Sequence, residues 1–264
     1  PPLPPTLFFL MIRRPPRSSQ GVLSSSSDVY KREPYYGLLE GNIAGRDVVV
    51  SQSGFSGEKG YEIYLRDATL YGEDLWNTVL EAGKKHNLMV IAPAHHRRIA
   101  AGILSWGQDM DFETLPFQCN LGYQVPRKKK QDYIGKTTLE RVRGEMEAGN
   151  PSFKTILVGL VFGGKPIDDY APDFWLISGA DGGDPIGYIT SPWYSPELAT
   201  NIAMGYVPWG MHAVGTKLTL HLPDEYSETP GVPTTGEICE IPFRPSANPS
   251  ARELAKEDGR ETAF

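Results

Sequence analysis

Glu62 and Tyr64 stand two residues apart in the segment YEIYL, residues 61–65, directly after the glycine-punctuated run GFSGEKG at 54–60. A short strand alternates, so Glu62 and Tyr64 share one face while Tyr61, Ile63 and Leu65 share the other. A polar face among apolar neighbours either meets solvent or lines a cavity. In the cavity case its chemistry is recognition, because a carboxylate offers two oxygens to paired N–H donors on a flat ligand edge. Phe55, inside the turn, is either a core residue beneath the glycines or a ring that packs on such a ligand.

A second group follows at 98–123, RIAAGILSWGQDMDFETLPFQCNLGY. Arg98, beside Ile99, Ala100 and Ala101, can snorkel, pair with an acid, or present its planar fork to a ligand. Asp109, Asp111 and Glu113 suit capping roles in the loop at 107–116. Trp106 is either core or the wall of a cavity, and Tyr123 is either a packed strand residue or a ligand contact. His95 and His96 are adjacent, so on a helix they point about 100° apart and do not share one metal ion. The two cysteines, Cys119 and Cys239, have no Cys or His at ligand spacing, which argues against zinc. Two reduced, buried thiols in a cytoplasmic protein is the simpler reading.

Bulk properties exclude several classes. The chain has 264 residues, 40% apolar and 22% charged, which suits a globular protein of one large or two modest domains. Its net charge is −6, which argues against a nucleic-acid partner, and the basic run at 127–130 reads as a solvated loop. No apolar run reaches the roughly 18 residues of a membrane span. The run LFFLMI at 7–12 precedes Arg13 and Arg14, the wrong order for a secretory signal. Residues 8–19, FFLMIRRPPRSS, resemble a translated sequencing adapter. Residues 1–28, ending in a serine-rich stretch, are therefore set aside as a non-native or disordered leader.

The elements that must position these residues follow from periodicity. Strands are expected at 36–44, 46–53 and 61–65, with a strand-like stretch at 88–91. Leu75, Trp76, Val79 and Leu80 predict a helix that begins after Gly72 and ends at Gly83. Pro93 opens a second helix to about Leu104, and Leu139, Val142 and Met146 mark a third. Composition shifts near 149–151. Beyond it come six short strands, at 155–162, 175–178, 187–190, 201–207, 217–222 and 236–243, with a hairpin turn at 181–183. Such spacing predicts a small barrel or sandwich. The organisation expected is α+β over 29–149, an all-β domain over 150–246, and a polar tail at 247–264.

Residues 54–63 resemble the G-[YF]-[TS]-G-x-x-G-x-E-I motif of the glycine-cleavage T-protein (aminomethyltransferase) family, which transfers one-carbon units to tetrahydrofolate. Residues 98–102 resemble its R-[LI]-x-A-G segment. Residues 107–116 resemble its G-x-D-x-x-x-x-T-x-P loop, one residue shorter between Asp109 and Thr114. Residues 132–136, DYIGK, are a further shared piece. Residues 187–207 resemble the G-x-[VI]-T-S…N-[IV]-A-[ML]-G-[YF]-[VI] signature of its C-terminal barrel, and 241–243 its closing strand. The resemblance covers roughly 36–243. It implies the C-terminal part of a folate-binding aminomethyltransferase domain followed by a small all-β barrel. It implies tetrahydrofolate as cofactor, Glu62 on the pterin edge, and Phe55, Tyr64, Arg98, Trp106 and Tyr123 around the same ligand.

The resemblance also has departures. The family's A-R-D run upstream of this arginine is here Pro93, Ala94 and His95, and Ala100 stands where the family has an acid. This counts against a glycine-derived aminomethyl substrate. Tyr64, Pro93 and the run WYSP at 193–196 resemble the dimethylsulfoniopropionate demethylase branch, implying a small activated methyl donor. The family's catalytic aspartate lies earlier in the folate domain than any segment matched here, so no catalytic residue is assigned. The chain reads as N-truncated and inactive alone. Two alternatives remain: a glycine-cleavage aminomethyltransferase with a lipoyl-carrier partner, and a non-catalytic folate-binding regulatory protein.

Overall fold

The computed structural model describes residues 8–10, 36–127 and 129–244. The expected tail and most of the expected leader lie outside them. Compact units divide between Ala94 and His95. The composition shift near 149 therefore falls inside the second unit, because the segments before it pack on the barrel.

In the first unit β1 (Phe8–Leu10), β2 (Leu38–Ile43), β3 (Arg46–Ser51) and β4 (Tyr61–Leu65) form an antiparallel sheet in the order β1-β4-β3-β2. The β2–β3 hairpin is the tightest possible. Ala44 and Gly45 both take positive φ, 51° and 81°, the pattern of a two-residue turn whose twist matches the strands. Asn42 stabilises it by accepting the Gly45 N–H at 2.8 Å. Strand β1 falls within the residues set aside as leader. The outer edge of β4 offers unpaired backbone groups, and Phe8–Leu10 meet them with Phe9 opposite Glu62.

Helix α1 (Ala68–Gly83) begins one turn earlier than expected and includes a buried Gly72. Val48, Leu65 and Leu75 close a small core between this helix and the sheet. The stretch at 88–91 is not a strand. Met89, Val90 and Ile91 are exposed and pair with no strand among the described residues, so apolarity alone did not make a ladder there.

The second unit opens with helix α2 (His95–Ala100), shorter than expected. Gly102 takes φ 70°; its N–H bonds Ile99 O and the Ile103 N–H bonds Arg98 O, a left-handed C-cap that stops the helix. Helix α3 (Lys136–Glu147) buries Val142 and Met146, as its apolar stripe predicts. Six strands then close a barrel in the order β10-β5-β8-β7-β6-β9. They are β5 (Thr155–Phe162), β6 (Trp175–Gly179), β7 (Gly182–Ser195), β8 (Thr200–Pro208), β9 (Lys217–Leu220) and β10 (Thr234–Cys239). Closure removes the exposed edges that an open six-stranded sheet would carry.

Two barrel strands differ from the sequence reading. β7 is 14 residues long, paired with β6 through its first half and with β8 through its second. The closing strand is Thr234–Cys239, and residues 241–243 lie beyond it. Pro242 has no N–H for a ladder. Ile241 and Phe243 instead pack on the cluster of Ile99, Leu157, Ile202 and Met204, and the Phe243 N–H bonds Ala100 O at 2.9 Å. This ties α2 to the outside of the barrel.

Candidate functional site

In the first unit the expected polar face is real. Register sets Glu62 opposite Ser51 and Tyr64 opposite Val49. The Tyr64 hydroxyl donates to Glu62 Oε2 at 2.9 Å, and the Ser53 hydroxyl donates to the same oxygen. Ser53 Oγ lies 2.8 Å from Ser51 Oγ, so a row of hydroxyls leads to the carboxylate. Among the described residues no donor reaches Glu62 Oε1. The opposite face is apolar as expected: Tyr61 and Leu65 are buried and Ile63 packs on the small core. Burial, then the hydrogen bond to Glu62 and its negative charge, hold the Tyr64 phenol above its usual range. Phe55 is 42% exposed, so it is not the core residue that one reading offered.

In the second unit Arg98 and Asp109 are sealed together. Arg98 Nη1 donates to Asp109 Oδ2 at 2.6 Å, with 2% and 0% of the two side chains exposed. The same fork reaches Ser191 Oγ at 2.8 Å, Gln108 Oε1 at 3.0 Å and Ile103 O at 3.2 Å. Asp109 also accepts the Ser105 N–H at 2.8 Å and the hydroxyls of Thr190 and Ser191, each at 2.5 Å. Consecutive strand residues normally point to opposite faces. The β7–β8 register shifts between Ile189 and Ser191, a bulge that lets both Thr190 and Ser191 reach one carboxylate. Of the readings open for Arg98, pairing with an acid is the one its geometry adopts.

The remaining predicted residues are placed as follows. Trp106 is 56% exposed and meets Phe112 edge-to-face at 4.7 Å, on the loop that Asp109 anchors. Tyr123 sits half-buried on a single 3-10 turn, Gly122–Gln124, and not on a strand. Phe55, Glu62 and Tyr64 thus belong to the first unit, and Arg98, Trp106 and Tyr123 to the second. His95 packs against Tyr170 and Trp193, with Nε2 2.5 Å from the Tyr170 hydroxyl. Both cysteines are free, and burial lifts each thiol to about 11; Cys119 is buried and Cys239 only partly so. Among the described residues no helix is long and apolar enough to cross a membrane, and no three His, Cys, Asp or Glu gather as a metal site.

Sequence reasoning missed Ser53, which looks like an ordinary turn serine. It also missed the partnership of Thr190 and Ser191 with Asp109, which no spacing announces across some 80 residues of chain.

The arrangement supports recognition by a held carboxylate in one unit and a rigidly anchored loop in the other. Comparisons agree with this architecture. Residues 16–129 match the GCVT N-terminal domain, and residues 157–234 match the glycine cleavage T-protein C-terminal barrel domain. A dimethylsulfoniopropionate demethylase of Ruegeria pomeroyi is 34% identical over 197 residues, 74% of this chain and 48% of that protein. An aminomethyltransferase of Halothermothrix orenii is 28% identical over 238 residues, 89% of this chain and 61% of that protein. The chain thus spans between 48% and 61% of the length of these relatives. The crystal structure of the glycine cleavage system aminomethyltransferase T from Bartonella henselae superposes with a TM-score of 0.65 at 23% identity. It covers 84% of this chain and 56% of that one, a likeness of fold.

Proposed function

The chain belongs to the glycine cleavage T-protein family, and from that membership we propose that it serves tetrahydrofolate-dependent one-carbon transfer. The substrate we favour is a small activated methyl donor such as dimethylsulfoniopropionate. The observation that carries the folate reading is Glu62, a carboxylate with Oε2 held by two hydroxyls and Oε1 without a donor among the described residues. Phe55, exposed in the adjoining turn, suits packing on a flat ring. Tetrahydrofolate, when bound, supplies a nucleophilic nitrogen that accepts the one-carbon unit.

The protein's part in such a transfer is alignment more than activation. A sulfonium donor is already electrophilic, so holding donor and acceptor in line supplies most of the acceleration. A base is needed to take the acceptor nitrogen's proton. Asp109 does not serve, since Arg98, Ser105, Thr190 and Ser191 fill its oxygens and water is excluded. Arg98 has a structural part, holding through Asp109 the loop that carries Trp106. The partners proposed are small molecules in the cytoplasm, with no nucleic acid and no membrane.

A second reading, the glycine-cleavage aminomethyltransferase with a lipoyl-carrier partner, is favoured by the relative that covers 89% of this chain and bears that name. Against it stand Ala94 in place of the family's arginine and the demethylase as a relative at 34% identity. Calorimetry with tetrahydrofolate at neutral pH, followed by turnover with each donor, separates the readings. Micromolar binding with methyl transfer from the sulfonium supports the first. Methylene transfer from an aminomethyl-lipoyl carrier supports the second. In a full-length relative, binding without turnover on either donor indicates a regulatory folate-binding protein. Absence of folate binding leaves only the shared fold.

A further inference from the structure

Glu62 does not offer its two oxygens equally. Among the described residues, the two hydroxyls that touch it, from Ser53 and Tyr64, donate to Oε2. A carboxylate oxygen has two lone-pair directions, so two donors saturate it. Ser51, 5% exposed, backs Ser53 at 2.8 Å and directly faces Glu62 across the β3–β4 ladder. The Tyr64 hydroxyl comes from the same strand as Glu62, and the Ser53 hydroxyl from two residues beyond the end of the neighbouring one. The side chain is therefore braced from two directions before any ligand arrives, which lowers the ordering cost of binding.

Resting on the folate reading above, we infer that Ser53 and Tyr64 are positioning residues that fix Oε2, so that Glu62 meets its ligand through Oε1 alone. The ligand's N–H donors then converge on one oxygen. A fork-on-fork pair, with one N–H on each oxygen, forms only if a hydroxyl gives up Oε2. Tyr64 thus acts through Glu62 and not by its own ligand contact. The requirement at position 53 is for a hydroxyl, and threonine meets it as well as serine.

Two measurements test this. The first is calorimetry of the chain with tetrahydrofolate. Ser53→Ala and Tyr64→Phe should each weaken binding about fivefold, the scale of one hydrogen bond to a charged acceptor. Ser53→Thr should stay within about twofold of the parent. In a Glu62→Ala background both losses should shrink below about twofold, because nothing remains to be positioned. The second measurement needs no ligand: the Cδ carbon-13 resonance of Glu62, assigned by its disappearance in Glu62→Ala, should move in Ser53→Ala and in Tyr64→Phe. Parent-like binding by both single variants overturns the inference, as does a loss that persists without Glu62, or a Cδ resonance that stays put. If the parent chain binds no folate while the resonance still moves, the folate reading fails and only the bracing stands.

Discussion

Arg98 and Asp109 lie eleven residues apart in sequence and meet at 2.6 Å with almost no water access to either side chain. Their ion pair joins three elements: the end of α2, the loop at 105–110, and the bulge of β7. Burying two charges is costly, and pairing only offsets that cost. The pair therefore matters less for net stability than for what happens when half of it is removed.

Asp109→Ala should leave a buried guanidinium without its counter-charge and destabilise the chain by about 3–5 kcal/mol in urea unfolding. Arg98→Lys should not rescue the site, because an ammonium cannot span Asp109, Gln108 and Ser191 at once. The double variant Arg98→Met with Asp109→Leu should lose less than the sum of the singles. Additive losses would show that the two residues are not coupled.

Barrel closure depends on the close approach of β7 and β8. A Cβ at Gly187 would stand 2.1 Å from Tyr206 O, a backbone atom that cannot step aside. Gly187→Ala should cost about 3 kcal/mol, an overpacking penalty at the upper end of its range. Gly41→Ala is the control, since a Cβ there meets nothing within 4 Å. It should change stability by no more than about 0.5 kcal/mol. Thermal unfolding of both variants decides.

Phe117 is fully buried, between the main core and the Arg143 guanidinium, whose centre lies 5.3 Å from its ring. Phe117→Ala should destabilise by about 3–5 kcal/mol. Phe117→Leu, which refills most of the space, should cost much less. Equal losses would mean that the site collapses without a cavity.

His95 gives a pH signature. Burial first, then the charges of Arg98 and His96, hold its imidazole below the usual histidine range. The folded state thus disfavours the proton more than the unfolded chain does. The stability that follows is fully present above about pH 6.5, the unfolded value, and falls as acid is added through that point. His96 shifts the same way, from burial and then Arg97 and Arg244. Unfolding free energy followed from pH 7.5 to 5 should fall, and His95→Asn should flatten part of that slope. An unchanged slope would remove His95 from the account.

Both thiols sit at about 11. Little thiolate exists at pH 8, so Ellman's reagent should label the folded chain slowly and the urea-unfolded chain at once. Rapid labelling of Cys119 in the folded chain would show that its burial is incomplete.

Alternation in YEIYL was enough to put Glu62 and Tyr64 on one face, and the stripe of Leu139, Val142 and Met146 was enough to place a helix. Turn glycines and short apolar strands marked the barrel. These are local signals, carried by period and by backbone freedom. The tertiary structure alone decided the rest. It left 88–91 an exposed loop with no partner strand among the described residues, and it set Phe8–Leu10 on the edge of β4. It saturated one oxygen of Glu62 through Ser53, a residue that sequence gave no reason to single out. Through a one-residue bulge it brought Thr190 and Ser191 together onto Asp109. Each of these depends on which groups lie near one another in space, and a chain's periodicity describes only what lies near in sequence.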